Sequence, residues 1–173
     1  MYVHNDGKLV YLANPRTAST STAAALLEIG FEKVGPHHSP NLAGRLGQGW
    51  LTFSTVRNHW DTAVSWVMAH NLEMSTKSLE QVLNNEYTTD DEMWSYHRQD
   101  ITMRYEDLSM WLNMILLGRG LPRAYLPRRN VSVNRAGRHY SEIHTPETKR
   151  YIAYRFYNEI ARLGYRYEQR DKA

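Results

Sequence analysis

No cysteine occurs among the 173 residues. That excludes a disulfide framework, a thiolate zinc site, an iron–sulfur cluster and a cysteine nucleophile. No apolar run approaches the ~20 residues that a membrane-spanning helix needs. The opening residues, Met1-Tyr2-Val3-His4-Asn5-Asp6-Gly7, lack the basic-then-apolar pattern of a signal peptide. Repeats, low-complexity tracts and linkers are missing as well. Excess charge is small, with 21 Lys plus Arg against 18 Asp plus Glu and a net charge of +3. Nucleic-acid-binding domains usually carry a dense basic stripe, so no nucleic-acid partner is expected. The expectation is a soluble, cytoplasmic protein with no membrane partner.

Hydrophobic residues make up 42% and charged residues 23%, both ordinary globular values. The length fits one domain, taken as residues 1–173. A domain of this size buries roughly 70% of its unfolded surface, enough for a core without staples.

Strand and helix signals alternate along the chain. Lys8 to Ala13 reads as a short buried strand, broken by Asn14-Pro15. Ala23 to Ile29 reads as a helix closed by Gly30. Phe31 to Val34 is a candidate strand, and His37 to Leu46 a candidate short helix. The glycine-rich stretch Gly44 to Gly49 follows no strand, so it reads as a loop. Leu51 to Val56 is a strong strand, Trp60 to His70 an amphipathic helix, and Leu79 to Leu83 part of another. Ile101 to Tyr105 reads as a strand running into a helix near Asp107 to Leu117. The arginine-rich stretch Leu126 to His139 reads as loop. A long helix is expected from Thr145-Pro146-Glu147 to Leu163, stopped by Gly164. This alternation predicts an α/β domain with a mostly parallel sheet. In such sheets ligands sit beyond the carboxyl ends of the strands.

Two constellations fall at those ends. Between strand and helix, five of the six positions from Thr17 to Thr22 carry a hydroxyl. Backbone N–H groups at a helix N-terminus, joined by hydroxyls, form an anion cradle. Arg16 adds a planar donor fork suited to phosphate or sulfate. The plainer reading is a Ser/Thr helix cap, but a cap needs only one hydroxyl. The second constellation is Arg57, directly after Leu51–Val56, with Ser65 eight residues on. Arginine with a hydroxyl partner makes a phosphate clamp. The plainer reading is an arginine on strand carbonyls and a helical serine bonding its own backbone. The nucleotide P-loop pattern G-x-x-x-x-G-K-[ST] is absent, which argues against an ordinary ATP or GTP enzyme.

Together these segments resemble the PAPS-dependent sulfotransferases, above all the carbohydrate enzymes of the heparan/uronyl 2-O type and their small bacterial relatives. Asn14-Pro15-Arg16-Thr17-Ala18-Ser19-Thr20-Ser21 is similar to the family's 5′-phosphosulfate loop, P-K-T-A-S-T-S. Thr55-Val56-Arg57-Asn58-His59-Trp60-Asp61-Thr62-Ala63-Val64-Ser65 is similar to its 3′-phosphate motif, V-R-N-P-W-D-R-x-V-S. Met103-Arg104-Tyr105-Glu106-Asp107-Leu108 is similar to a later R-[YF]-E-[DN]-L segment. Arg16 stands where the family usually has lysine, and His59 where it has proline.

The resemblance implies a P-loop-like, three-layer α/β/α sulfotransferase fold with a central, mostly parallel sheet. It implies transfer of a sulfuryl group from 3′-phosphoadenosine 5′-phosphosulfate (PAPS) to a hydroxyl acceptor, expected to be a carbohydrate, leaving PAP. Pro15, Arg16, Thr17, Ala18, Ser19, Thr20 and Ser21 would hold the 5′-phosphosulfate, with Arg16 steadying the leaving phosphate. Arg57 and Ser65 would hold the 3′-phosphate, and Arg135 and Arg138 belong to a loop that would close over the nucleotide. The base would be His38, with His37 as the alternate. No metal is required. The chain would act as a monomer or homodimer. The alternatives are a non-catalytic module that holds PAP or a sulfated glycan, and an atypical P-loop kinase.

Overall fold

The computed structural model describes residues 1–36, 48–86, 96, 98–127, 135 and 137–168. The chain divides into two compact units. One comprises Met1–Val56 and Thr89–Asn130, the other Arg57–Thr88 and Val131–Ala173. No helix among the described residues is long and apolar enough to cross a membrane.

The first unit is a mixed α/β structure around a five-stranded sheet. Strand β1 (Tyr2–His4) pairs antiparallel with β2 (Leu9–Leu12) and with β3 (Glu32–Lys33). Strands β2, β4 (Leu51–Val56) and β5 (Ile101–Arg104) are parallel, giving the order β3-β1-β2-β4-β5. The parallel sheet expected from the sequence is therefore confined to three strands. The hairpin that adds β1 turns on Asn5-Asp6-Gly7-Lys8, where the Lys8 amide donates to the Asn5 carbonyl at 3.0 Å. His4 Nδ1 accepts from the Gly7 amide at 3.0 Å and steadies the same turn.

Period-two alternation sorts the strand side chains onto two faces. Leu9, Tyr11, Ala13, Phe53 and Met103 face helix α1 (Ser19–Glu28) and helix α4 (Leu108–Gly118). From those helices Ala23, Ala25, Leu26, Leu112, Ile115 and Leu116 complete this core. Val3, Val10 and Leu12 lie on the opposite face with Tyr96. Each fully buried Leu or Phe contributes about 1.5–3 kcal/mol relative to exposure, so the register of β2 on β4 is strongly fixed. That register puts the carboxyl ends of β2, β4 and β5 along one edge: Leu12 pairs with Ser54, and Val56 with Arg104.

The second unit is helical among its described residues. Helix α2 (His59–Ala69) opens on Asn58, whose Oδ1 accepts from the Trp60 amide at 3.1 Å. Helix α3 (Thr76–Glu86) buries Leu79, Val82 and Leu83. Helix α5 (Pro146–Arg155) begins with a reciprocal cap. The Thr145 hydroxyl accepts from the Thr148 amide, and the Thr148 hydroxyl accepts from the Thr145 amide. The long C-terminal helix expected from the sequence is in fact two. Phe156 leaves helical geometry at ψ 28°, and α6 (Tyr157–Leu163) starts afresh before Gly164 ends it at φ 67°.

Candidate anion-binding site

The turn from β2 into α1 carries the hydroxyl-rich run. Helix α1 starts at Ser19, four residues earlier than the apolar pattern suggests. The hydroxyl-rich run is therefore divided: Asn14 to Ala18 form the turn, and Ser19, Thr20, Ser21 and Thr22 the first helical positions. The N-cap is Ala18, which has no side-chain oxygen, and no acidic residue lies in the first turn. The plainer reading of these hydroxyls as an N-cap thus fails, because no side chain caps α1. A helix N-terminus without a capping or acidic side chain keeps its partial positive charge available to an external anion.

The turn owes its shape to two left-handed residues, Arg16 at φ 60° and Ala18 at φ 63°. Left-handed geometry costs a non-glycine residue roughly 1–2 kcal/mol. Alternating hands along a turn direct successive N–H groups inward, the arrangement of an anion nest. The surroundings hold this geometry in place. Asn14 is buried and donates through Nδ2 to the Thr55 carbonyl at 2.9 Å, while its Oδ1 is buried without a hydrogen-bond partner. The Thr17 hydroxyl donates to the Asn14 carbonyl at 2.8 Å, and the Thr22 hydroxyl to the Ala18 carbonyl at 3.1 Å. Thr17 and Thr22 therefore shape the turn with their hydroxyl protons. Beneath it Tyr11 is fully buried and meets Thr55 Oγ1 at 3.4 Å. Desolvation pushes its phenol up to about 12, so it stays protonated and neutral at ordinary pH.

The chain matches no family model, no curated protein and no solved structure.

A separate cluster lies in the other unit. Arg57 is the first residue after β4, and its guanidinium grips Asp61, one turn into α2. Nε donates to Oδ2 at 2.7 Å and Nη2 lies 2.6 Å from the same oxygen. Arg135 approaches the other oxygen, with Nη1 2.6 Å from Oδ1. Arg135 Nε also donates to the Arg138 carbonyl at 2.6 Å. Two arginines assigned separately from the sequence thus meet at one carboxylate, and Arg138 joins through its backbone. Ser65 is half-buried one turn beyond Asp61 on the same face of α2.

Asp61 was missed in reading the sequence for an anion site, where a carboxylate looks repulsive. The signal was there: an acid four residues after Arg57, at the start of a helix, is placed to pair with it. The base candidates His37 and His38 lie outside the described residues, as does the expected helix from His37 to Leu46.

The described histidines are engaged structurally. His59 packs on Phe156 at 5.0 Å, and burial lowers its pKa to about 4. His144 spans the Trp60 carbonyl and the Thr148 hydroxyl, and burial lowers its pKa, opposed by the Trp60 hydrogen bond. His139 Nδ1 lies 2.8 Å from the Ser141 hydroxyl and caps the 3-10 turn Tyr140–Glu142. His70 Nδ1 lies 3.0 Å from the Trp66 carbonyl.

Proposed function

We propose that the protein is a sulfotransferase that uses PAPS as donor and a carbohydrate hydroxyl as acceptor. The carrying observation is the N-terminus of α1. It opens from a turn with two left-handed residues, has no side-chain cap and no first-turn acid, and follows the carboxyl end of a parallel strand. The residue pattern Pro15 to Ser21 on that turn supports a phosphosulfate ligand over a generic helix terminus. The P-loop-like, three-layer sulfotransferase fold belongs to this proposal.

The α1 terminus in one unit and the Arg57 cluster in the other each carry groups suited to one anionic end of the donor. The α1 terminus offers N–H groups and the charge of Arg16 to the 5′-phosphosulfate. Arg57 would offer a guanidinium to the 3′-phosphate, with Ser65 on α2 and Arg135 at the same carboxylate. When bound, PAPS supplies the sulfuryl group and a stable phosphate leaving group. The turn residues would hold the 5′ end and orient it for transfer. Arg16 and the first N–H groups of α1 stabilise charge as it builds on the departing phosphate oxygen. The acceptor hydroxyl loses its proton to a base, assigned to His38 or His37.

Calorimetry with PAP and AMP, on wild type and Arg57→Ala, tests the reading. PAP should bind more tightly than AMP. Arg57→Ala should weaken PAP by roughly 30- to 3000-fold, the scale of about 2–5 kcal/mol for a desolvated charge contact, and leave AMP nearly unchanged. Equal affinity for PAP and AMP in the wild type would overturn the proposal.

A further inference from the structure

We infer that Asp61 is the positioning residue of the 3′-phosphate clamp, setting the guanidinium groups of Arg57 and Arg135 side by side for a single phosphate. The inference rests on the donor reading above, and it assigns a role to a residue that lies within the 3′-phosphate motif but was given no part in holding the phosphate.

Asp61 divides its oxygens between the two arginines. Oδ2 accepts from Nε of Arg57 at 2.7 Å with Nη2 at 2.6 Å, and Oδ1 forms an ion pair with Nη1 of Arg135 at 2.6 Å. The side chains of Arg57, Asp61 and Arg135 are only 11%, 13% and 21% exposed. At such burial two guanidinium groups repel each other strongly, and a shared carboxylate is what lets them stand together. The geometry also leaves something over. Asp61 places one negative charge between the two guanidinium groups. Nη2 of Arg135 meets no protein acceptor among the described residues. A structural ion pair closes on itself with one arginine, whereas here a second guanidinium stands at the same carboxylate with a donor left for a further anion.

Arg135 is held from its other side as well. Its Nε donates to the Arg138 carbonyl, and the Arg138 amide donates to the Arg135 carbonyl at 3.0 Å. The phosphate then meets donors already in place and does not have to order two long side chains itself. Asparagine at position 61 would keep the shape and lose this ability. Its single oxygen can accept, but its NH2 group would face a second donor.

Asp61→Asn and Asp61→Glu in the full chain, titrated with PAP and with AMP, test the assignment, with melting temperatures measured alongside. Asp61→Asn should lower the PAP-to-AMP affinity ratio by roughly tenfold or more, the scale of one charge-assisted hydrogen bond. Asp61→Glu should recover part of it. A merely structural carboxylate would lower the melting temperature and leave the ratio unchanged. That result, or a raised ratio, overturns the inference while the donor reading stands. A wild type that does not prefer PAP removes both.

Arg135→Met provides a second variant should Asp61→Asn fail to fold. It keeps the Arg57–Asp61 pair, and the ratio should still fall. A wild-type ratio in Arg135→Met overturns the shared clamp. When both variants fold, their losses combined should be smaller than the sum, because Asp61 acts partly through Arg135.

Discussion

The side chain of Asn14 donates to the Thr55 carbonyl at 2.9 Å and so ties the end of β2 to the end of β4. The bond is buried and spans the carboxyl ends of two parallel strands, where the turn into α1 begins. Asn14→Ala leaves the Thr55 carbonyl without this donor and should cost about 1–3 kcal/mol. Asn14→Asp should cost more, because a carboxylate oxygen would then face that carbonyl. Urea unfolding checks both, with a lower midpoint and an unchanged slope as the expected result. An unchanged midpoint in Asn14→Ala would show that the bond does not hold the two strand ends.

Ala18 sits at φ 63° with no side-chain role in capping α1. Glycine takes that backbone geometry without a Cβ clash, so Ala18→Gly relieves strain of roughly 1–2 kcal/mol and loses part of it to unfolded-chain entropy. A net gain of about 0.5–1 kcal/mol is expected. Ala18→Val, with a branched Cβ in the same geometry, should be destabilising. The pair of melting temperatures reads the sign directly: a drop in both variants would mean that Ala18 makes packing contacts that outweigh its strain.

Much of this arrangement is legible in the sequence, and the failures have physical causes. Leu51 to Val56 reads as a strand because five of its six positions are apolar or β-branched, and its last residue places Arg57 at a carboxyl end. The start of α1 is hard to read because the usual marker, a polar N-cap, is absent: Ala18 occupies that position. Strand β1 is only three residues long, although Asn5-Asp6-Gly7 after it carries a turn signal. The break between α5 and α6 falls at Phe156, with neither proline nor glycine to mark it. Asp61 needed the structure, since only there do Arg57 and Arg135, 78 positions apart in the numbering, share its carboxylate.

The Thr145–Thr148 box should carry a measurable share of the second unit's stability. It satisfies two backbone N–H groups at the start of α5, and Thr148 is 1% exposed. Thr145→Ala removes one half of the box and should cost about 0.5–2 kcal/mol. Thr145→Ser keeps the oxygen and should lie close to wild type. If Ser and Ala prove equally destabilising, the loss comes from the Thr145 methyl group and not from the cap.

Acid should destabilise the protein through His59. Its pKa is about 4 in the folded chain because burial disfavours the imidazolium, against 6.5 for an ordinary histidine. Above pH 6.5 both states are neutral at this position and nothing changes. Below 6.5 the unfolded chain takes up a proton that the folded chain refuses, so stability falls until the folded pKa near 4 is reached. This residue alone accounts for a loss of up to about 3 kcal/mol over that window. His144, also lowered by burial, adds to it with the same sign. His59→Phe keeps a ring against Phe156 and removes the titration. Its stability should fall less steeply than that of wild type between pH 6.5 and 4. Parallel curves for the two proteins would place the acid sensitivity elsewhere.

If the turn holds a phosphosulfate donor as proposed, Arg16 is the residue that separates catalysis from binding alone. Its left-handed backbone is set by the turn, and the Nε of its side chain is shielded from solvent. Under the donor reading its charge matters most as negative charge develops on the leaving phosphate, so binding and transfer should respond differently. Arg16→Ala should slow transfer from radiolabelled PAPS to a panel of sugar hydroxyls by roughly 10²–10³-fold, the loss seen when one preorganised donor is removed. PAP affinity should fall far less. Arg16→Lys keeps the charge on a shorter stem without the planar fork. It should retain activity within about tenfold, if one charge at the bridging oxygen is what the step requires. Equal losses of binding and rate in Arg16→Ala would assign Arg16 to holding the donor. With no transfer detected in the wild type either, the turn would remain a PAP-binding site in a non-catalytic module.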